Sequence, residues 1–252
     1  MVNFGLLKQI STDLMANNYF SFKQFTIYQD KCAFKVGTDG VLLGAYADVA
    51  GAVNVLDIGT GSGLIALMIA QRCDAAIAAI EPDEASFNRA VDNINNSPWK
   101  ERIKAINSDL QGYEPHNLKF DLVVSNPPYF TGSLKNPDPR KSAARHNDSL
   151  TPSEMLEAVE RLLNEKGKLQ VIMPYAEGNI LIAEAQGYGL FCNRILKIKP
   201  LPTSEVRRLI LTFSRQRMKV TEKFLTIEHG KRHEFTEEYM NLTRDFYLKF
   251  KG

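Results

Sequence analysis

The tetrapeptide Asn126-Pro127-Pro128-Tyr129 contains groups that could act on a planar amine. It follows the apolar run 120–124, which predicts a short buried strand, and the two prolines end that strand because they cannot continue its hydrogen-bond ladder. The Asn126 side chain and the Pro127 carbonyl offer hydrogen-bond acceptors, and the Tyr129 ring offers a flat surface. The group is therefore suited to hold a planar NH2-bearing molecule, although an ordinary strand-ending turn is an alternative reading.

A glycine-rich loop lies upstream, between a predicted strand at 55–58 and a predicted helix from residue 64. Gly59, Gly61 and Gly63 follow a G-x-G-x-G spacing, which differs from the G-x-G-x-x-G of dinucleotide-binding proteins. Glycines at these positions let the backbone turn sharply and let a ligand lie against the main chain. The loop alone is weak evidence, because many turns in α/β proteins contain glycine.

Other predicted strands also end in polar residues. The strand at 76–80 leads to Glu81, at a spacing suited to a carboxylate that binds ribose hydroxyls. The segment 103–106 leads to Asp109, and Asp57 lies in the strand before the glycine loop. Because the carboxyl ends of parallel strands meet at one edge of a sheet, we expect these groups to line a common crevice.

In this order the features resemble the class I S-adenosylmethionine-dependent methyltransferases, over roughly residues 35 to 215. The resemblance implies an α/β Rossmann-like fold with a seven-stranded, mostly parallel sheet and helices on both faces. It also implies that Asp57 lies near the methionyl part of S-adenosylmethionine, that Glu81 binds the ribose and that Asp109 binds the adenine amine. In those enzymes the tetrapeptide is the signature for methylating an amine on a planar system, either a nucleobase or a glutamine amide.

A closer resemblance is to the bacterial tRNA1(Val) (adenine-37-N6)-methyltransferases, and it extends almost from end to end. The matching segments are 18–27, 34–45, 97–99, 125–130, 144–146, 235–239 and 245–247. This resemblance implies tRNA as the substrate and adds Lys35, Thr38 and Asn126 to the residues expected at the cofactor.

Two other functions fit part of the sequence. A protein glutamine-amide methyltransferase uses the same tetrapeptide, but that group carries a separate amino-terminal helical domain, for which residues 1–34 leave too little room. A non-catalytic RNA-binding module could keep the fold. The intact acids at 57, 81 and 109 and the intact tetrapeptide argue against such a loss of activity.

Length and composition predict one large α/β unit in the cytoplasm. The chain has 252 residues, and we expect an accessory segment at 1–34 and a methyltransferase domain with a helical tail at 35–252. The three cysteines are scattered, so we expect neither a metal site nor disulfides. No apolar run has the length of a membrane span, no signal peptide is evident, and no obligate protein partner is indicated.

Two groups of basic residues are candidate RNA-binding surfaces. The net charge is only +2, so any nucleic-acid footprint must be local. A solvated surface is the usual explanation of a charge run, but beside a base-methylating motif phosphate binding becomes the better hypothesis. The predicted RNA-binding residues are Lys135, Arg140, Lys141, Arg145, Arg207 and Arg208.

The remaining pattern predicts local elements outside the motifs. Aromatic residues between 20 and 28 predict a hairpin packed on the domain, and the apolar spacing at 84–96 predicts a helix with Phe87, Val91 and Ile94 on its inner face. Further helices are predicted at 41–47, 152–164, 180–186 and 236–250. The segments 194–199 and 208–214 are predicted to form an antiparallel pair at the edge of the sheet.

Overall fold

A computed structural model of the protein describes residues 18–30, 32, 34–127 and 150–250. These residues form an eight-stranded sheet and a separate two-stranded hairpin. The strands are β1 Tyr19–Ser21, β2 Thr26–Tyr28, β3 Asn54–Ile58, β4 Ala76–Glu81, β5 Ile103–Asn107, β6 Phe120–Ser125, β7 Leu163–Pro174, β8 Phe191–Lys199, β9 Arg208–Ser214 and β10 Thr221–Thr226. The α-helices are α1 Thr38–Tyr46, α2 Leu64–Arg72, α3 Glu84–Asn95, α4 Pro152–Leu162, α5 Tyr175–Ala185 and α6 Glu237–Thr243, and Gln186–Tyr188 forms a 3₁₀ turn.

The large sheet is mostly parallel, with the strand order β10-β8-β9-β7-β6-β3-β4-β5. Only β9 runs antiparallel to its neighbours, β7 and β8. The chain runs from β3 through β4 to β5 on one side and places β6 on the other side of β3. Ligands of open α/β sheets bind at such a reversal of strand order, beyond the carboxyl ends of the strands.

Two apolar layers cover the two faces of the sheet, as predicted. One layer contains inward residues of α1, α2, α3 and α6, and the other contains those of α4 and α5. The central strand β6 is buried on both faces, with Leu122, Val123 and Val124 inaccessible to solvent. A continuous apolar run is the pattern expected of a parallel strand between two helical layers.

The predicted sheet of seven strands is wrong by one strand, because β10 lies outside β8. The antiparallel pairing of β8 with β9 is confirmed, but β8 is not at the edge. The segment Thr221–Thr226 is polar, and four of its six residues are exposed, so it lacks the apolar pattern of a strand. Its place depends instead on parallel pairing with β8, from Thr221 opposite Arg194 to Thr226 opposite Lys199.

Helix boundaries follow local signals that were only partly recognised. α4 begins as predicted at Pro152, after a capping box in which Thr151 and Glu154 bond each other's backbone. It ends at Leu162 because Leu163 already pairs with Phe120 in the sheet. α5 begins at Tyr175, five residues before the predicted start, and α6 covers only the first half of the predicted tail helix.

The predicted inner face of α3 is confirmed at Ile94 but is wrong at the other two predicted positions. Its buried residues are Ser86, Ala90, Asn93 and Ile94, whereas Phe87 is only half-buried, as is Val91. The helix is therefore rotated so that a polar asparagine lies inside. The partners of that asparagine belong to the site described below.

The predicted hairpin is confirmed, and it packs against the end of the chain. The rings of Phe22 and Phe25 stack with centroids 4.7 Å apart, and Phe22 also stacks on Tyr247 at 6.0 Å. The backbone amide of Lys23 donates to the carbonyl of Phe246 at 2.8 Å. The first described segment is thus fixed to the last one.

Neither a membrane span nor a metal cluster occurs in the described part of the chain. Among residues 18–30, 32, 34–127 and 150–250, no helix is long and apolar enough to cross a bilayer. The same residues contain no group of three or more His, Cys, Asp or Glu side chains arranged to hold a metal ion.

Candidate active site

Asn126 lies at the carboxyl end of β6, beside the strand that carries the glycine loop. Ser125 pairs with Ile58 at the end of β3, and the Ser125 hydroxyl donates to the Ile58 carbonyl at 3.1 Å. Asn126 is half-buried and Pro127 is buried. Pro128 and Tyr129 lie outside the described residues.

The glycine loop has the left-handed backbone that its sequence predicts. The φ angles of Gly59, Gly61 and Gly63 are +68°, +57° and +84°, values that residues with a Cβ atom rarely adopt. A Cβ added at Gly59 or Gly61 would have no described atom within 4 Å, so that side of the loop is open. The amides of Gly59 and Thr60 both donate to the Ile80 carbonyl at 3.0 Å, which fixes the loop to β4.

Glu81 contacts the glycine loop directly. Its Oε2 accepts a hydrogen bond from the Gly61 amide at 2.8 Å, and its Oε1 accepts one from the Asp83 amide at 3.1 Å. Burial raises the pKa of the Glu81 carboxyl, and these two backbone bonds act against that shift. Glu81 therefore holds the loop in place as well as presenting a carboxylate at the end of β4.

Asp57 is a fully buried carboxyl with one unused oxygen. Its Oδ2 accepts from the Thr60 hydroxyl at 2.6 Å and from the Ala66 amide at 3.2 Å. Its Oδ1 is buried without a hydrogen-bond partner among the described residues. Burial raises the pKa of Asp57 to about 7, the Thr60 and Ala66 bonds lower it, and the nearby Glu81 charge raises it further.

The other predicted cofactor residues lie at the surface. Asp109 is exposed beyond β5, and its Oδ1 accepts from the Gly112 amide at 2.6 Å. Lys35 and Thr38 are exposed at the start of α1. Their contacts with a methyl donor stay predictions.

Gly40 in α1 is a residue of the site that the sequence did not reveal. A Cβ there would lie 3.9 Å from Asn126 Nδ2 and 3.0 Å from Leu64 Cδ2. The absence of a side chain thus lets α1 approach both the end of β6 and the start of α2. Nothing in the local sequence distinguishes this glycine from the others.

Asn93 in α3 was also missed, although it links the glycine loop to the hairpin. Its Nδ2 donates to the Ser62 carbonyl at 2.8 Å and to the Tyr28 carbonyl at 2.9 Å. Its Oδ1 accepts from the Tyr28 amide at 2.9 Å, and only 1% of the residue is exposed. An asparagine three residues after the buried Ala90 was the available signal, since a polar group on an inner helix face requires a partner.

Several basic residues between positions 194 and 219, a basic segment that includes Arg207 and Arg208, are paired with distant acids. Arg208 Nε lies 2.8 Å from Asp39 Oδ2, and Arg207 is exposed. The further ion pairs are Arg194–Asp48, Lys197–Glu222 and Arg215–Glu160. The positive charge of this segment is therefore smaller than the sequence indicates. The predicted RNA-binding residues Lys135, Arg140, Lys141 and Arg145 lie outside the described residues.

Comparison with known proteins agrees with this geometry. The family model "Methyltransferase small domain" matches residues 38–179. A tRNA1(Val) (adenine(37)-N6)-methyltransferase from Bacteroides thetaiotaomicron is 46% identical over 94% of this chain and 100% of its own length. Proteins of the same name from Phocaeicola vulgatus and Trichodesmium erythraeum are 47% and 44% identical, each over at least 93% of this chain and 99% of their own length. The chain belongs to the tRNA1(Val) (adenine(37)-N6)-methyltransferase family.

Solved structures support the fold assignment independently. A predicted O-methyltransferase from Agrobacterium tumefaciens superposes with a TM-score of 0.60 at 20% identity, over 82% of this chain and 96% of its own. A methyltransferase from Pyrococcus furiosus gives 0.51 at 22% identity, over 83% and 94%. The protein is a class I methyltransferase, and S-adenosylmethionine is its methyl donor.

The carboxyl edge of the sheet fits this donor. Asp57 Oδ1 is a buried acceptor without a described partner, and buried polar atoms of this kind usually have one. The loop at Gly59 and Gly61 is open to a ligand on its main-chain side. Both features lie where the strand order reverses, next to Asn126.

Proposed function

We propose that this protein methylates the exocyclic N6 of an adenine in tRNA, and that the target is adenine 37 of tRNA1(Val). The observation that carries the proposal is the position of Asn126, which follows the Ser125–Ile58 pair and so lies beside the glycine loop. The curated relatives that carry this name match nearly the whole chain. That extent supports transfer of their activity rather than of their fold alone.

The donor supplies an electrophilic methyl group when it is bound, and the protein contributes placement. The open main chain at Gly59 and Gly61, the Glu81 carboxylate and the unused oxygen of Asp57 would hold the donor. We assign the contact with the adenine amine of the donor to Asp109, and further contacts with the donor to Lys35 and Thr38. Holding two reactants in one geometry removes much of the entropic barrier to their reaction.

The acceptor nitrogen is a poor nucleophile because its lone pair is delocalised into the adenine ring. The Asn126 side-chain oxygen and the Pro127 carbonyl would accept hydrogen bonds from the two amine hydrogens. These bonds favour a pyramidal nitrogen, return the lone pair to it and stabilise the positive charge that develops during transfer. The methylated amine is then acidic enough to lose a proton to water, so the mechanism requires no dedicated base.

The target base must leave its stack to reach this site. We assign the stacking surface to Tyr129, with Pro128 fixing the turn that presents it. Unstacking costs a few kcal/mol, and the new stacking contact offsets part of that cost. We further propose that the enzyme acts in the cytoplasm, and that residues 1–34 serve as an accessory segment of the domain at 35–252.

Incubation of the purified protein with labelled donor and unmodified tRNA1(Val) transcript tests this function. We expect N6-methyladenosine in the nuclease digest, no incorporation when adenine 37 is replaced by guanine, and strongly slowed incorporation with Asn126→Ala. A release-factor protein is the control substrate for glutamine-amide methylation. Label in the release factor would establish the alternative activity, and label in neither would contradict the proposed function.

A further inference from the structure

We propose that a surface depression at the end of the sheet binds an unstacked nucleotide of the substrate RNA, next to the one that is methylated. The inference deepens the proposed function and rests on it. The depression has a volume of about 390 Å³ and is lined by Tyr175, Lys197, Glu205, Val206 and Phe224. We call these five residues the aromatic depression. Its volume lies at the lower end of the range for small-ligand pockets, about 300–1,000 Å³.

Two aromatic rings of the depression are open to solvent. Tyr175 is 46% exposed and Phe224 is 61% exposed, whereas Leu225, the next residue of β10, is 5% exposed on the other face. Lys197 Nζ lies 5.6 Å from the centre of the Phe224 ring and 2.6 Å from Glu222 Oε2. Lys197 is thus paired with Glu222 and lies over one side of the Phe224 ring, so the Tyr175 ring and the exposed part of the Phe224 ring are the aromatic surfaces left for stacking.

A series of contacts links the depression to the candidate active site. Tyr175 follows the carboxyl end of β7, and its amide donates to the Arg207 carbonyl at 3.2 Å. The next residue, Arg208, bonds Asp39 in the first turn of α1. Asp39 precedes Gly40, which lies beside Asn126 as described above. Consecutive contacts therefore connect the backbone of Tyr175 with the residue that would orient the target amine.

Single-stranded RNA is the occupant that this chemistry fits. Unpaired bases stack on aromatic side chains, and such contacts contribute about 1–3 kcal/mol per base. Arg207 is an exposed cation at the same edge, where a phosphate could lie. The RNA strand on either side of the target base has to pass over the protein surface next to the active site. The two rings lie on the side of the sheet where Asn126 is found, so a flanking base can reach them.

The test compares substitutions in the depression with a matched control. The variants are Tyr175→Ala, Phe224→Ala and Phe224→Leu, in which leucine keeps an apolar side chain but removes the ring. The control is Met218→Ala, since Met218 is 53% exposed and precedes β10 at the opposite, amino-terminal end of the strand. Dissociation constants for tRNA1(Val) transcript would be measured by fluorescence anisotropy, and those for the donor by calorimetry.

We expect each depression variant to weaken tRNA binding about five-fold or more, which corresponds to the loss of one stacking contact. Donor affinity should stay unchanged, and Met218→Ala should bind tRNA like the parent. If Phe224→Ala lowers the melting temperature, the effect of losing the Phe224 ring on tRNA affinity is taken from Phe224→Leu, which keeps an apolar side chain.

Two outcomes separate this inference from the proposed function. Depression variants that bind tRNA as tightly as Met218→Ala, in an enzyme that still methylates tRNA, would overturn the inference alone. A parent protein that neither binds nor methylates tRNA would overturn both. Variants that change self-association in sedimentation, with tRNA affinity intact, would show instead that the depression contacts a second protein chain.

Discussion

At the scale of single residues, Asp57 has the most unusual environment in the site. It is fully buried beside the glycine loop, and hydrogen bonds satisfy only Oδ2 among the described residues. Removing a carboxylate from water without full compensation favours its protonated form. Asp57 therefore costs folding energy in the donor-free protein, and the structural reason to retain it is the ligand that its free oxygen can bind.

The pH dependence of folding tests this account of Asp57. Its native pKa of about 7 lies above the ordinary 3.8, so its contribution to stability is present below about pH 4 and is lost as pH rises through 7. We expect the free energy of unfolding of Asp57→Asn to exceed that of the parent by up to a few kcal/mol near pH 8, and by less near pH 5. Urea unfolding of the two donor-free proteins measures this difference in free energy of unfolding. A difference that is the same at pH 5 and pH 8 would contradict the account.

Asn126 should act primarily on the amine that is methylated, and only secondarily on the methyl donor. Asn126→Ala removes one preorganised hydrogen-bond acceptor. We expect this loss to raise the barrier to methyl transfer by about 2–4 kcal/mol, which lowers the single-turnover rate roughly 30- to 1,000-fold. The dissociation constant of S-adenosylmethionine should change less than two-fold or so. A rate within a few-fold of the parent would remove the orienting role from Asn126.

Sequence predicted the site residues that lie next to strand ends. Glu81 and Asn126 each follow an apolar run, so their position at the carboxyl edge can be deduced without three-dimensional information. Asn93 could not be found in this way, because its partners Tyr28 and Ser62 are 65 and 31 residues distant in the chain. Contacts of this kind depend on how helices pack, which local patterns do not specify.

At the scale of elements, α3 connects the hairpin to the glycine loop through the Asn93 side chain. Both hydrogens of its amide and its carbonyl oxygen are used on backbone groups of β2 and of the loop. Three hydrogen bonds of Asn93 thus couple the hairpin to the glycine loop. If that loop contacts the donor as proposed, the amino-terminal segment has a direct influence on donor binding.

Asn93→Ala should therefore damage donor binding as well as stability. It removes a partner of the buried Ser62 carbonyl and of two part-buried Tyr28 backbone groups, and a buried polar group left unsatisfied costs about 1–3 kcal/mol. We expect a weaker donor affinity and a higher KM for the donor, with a smaller change in kcat. Asn95→Ala, on the exposed side of the same helix, is the control. Equal donor affinities in the two variants would limit Asn93 to a structural role.

The elements themselves were predictable to different degrees. The parallel core could be predicted, because β3, β4 and β6 are apolar runs that end at loops with distinctive residues. β10 was not, since its sequence is polar and its pairing with β8 is formed between segments about 27 residues apart. The inner face of α3 was predicted correctly at Ile94 but not at Phe87 and Val91, and the polar Asn93 lies on that face with its side chain hydrogen-bonded.

At the scale of the whole molecule, one edge of the sheet carries both proposed binding functions. The proposed donor-binding residues lie at the ends of β3 and β4, and Asn126 lies at the end of β6. Tyr175 follows β7, and Arg208 begins β9. The net charge of +2 is too small to attract RNA over the whole surface. The proposed tRNA binding must therefore depend on local groups, and Arg207 is an exposed cation at this edge.

The salt dependence of tRNA binding tests the role of that cation. If Arg207 contacts one phosphate, Arg207→Ala should lower the slope of log affinity against log salt by about one and leave donor affinity unchanged. Arg208→Ala should also disturb α1, since Arg208 holds Asp39 beside Gly40. Arg194→Ala is the matched control, because Arg194 lies in the amino-terminal half of β8, away from Asn126. Its substitution leaves Asp48 paired with Lys168. Equal slopes for the parent, Arg207→Ala and Arg194→Ala would show that Arg207 is a solvated charge, and that phosphate contacts must come from other residues.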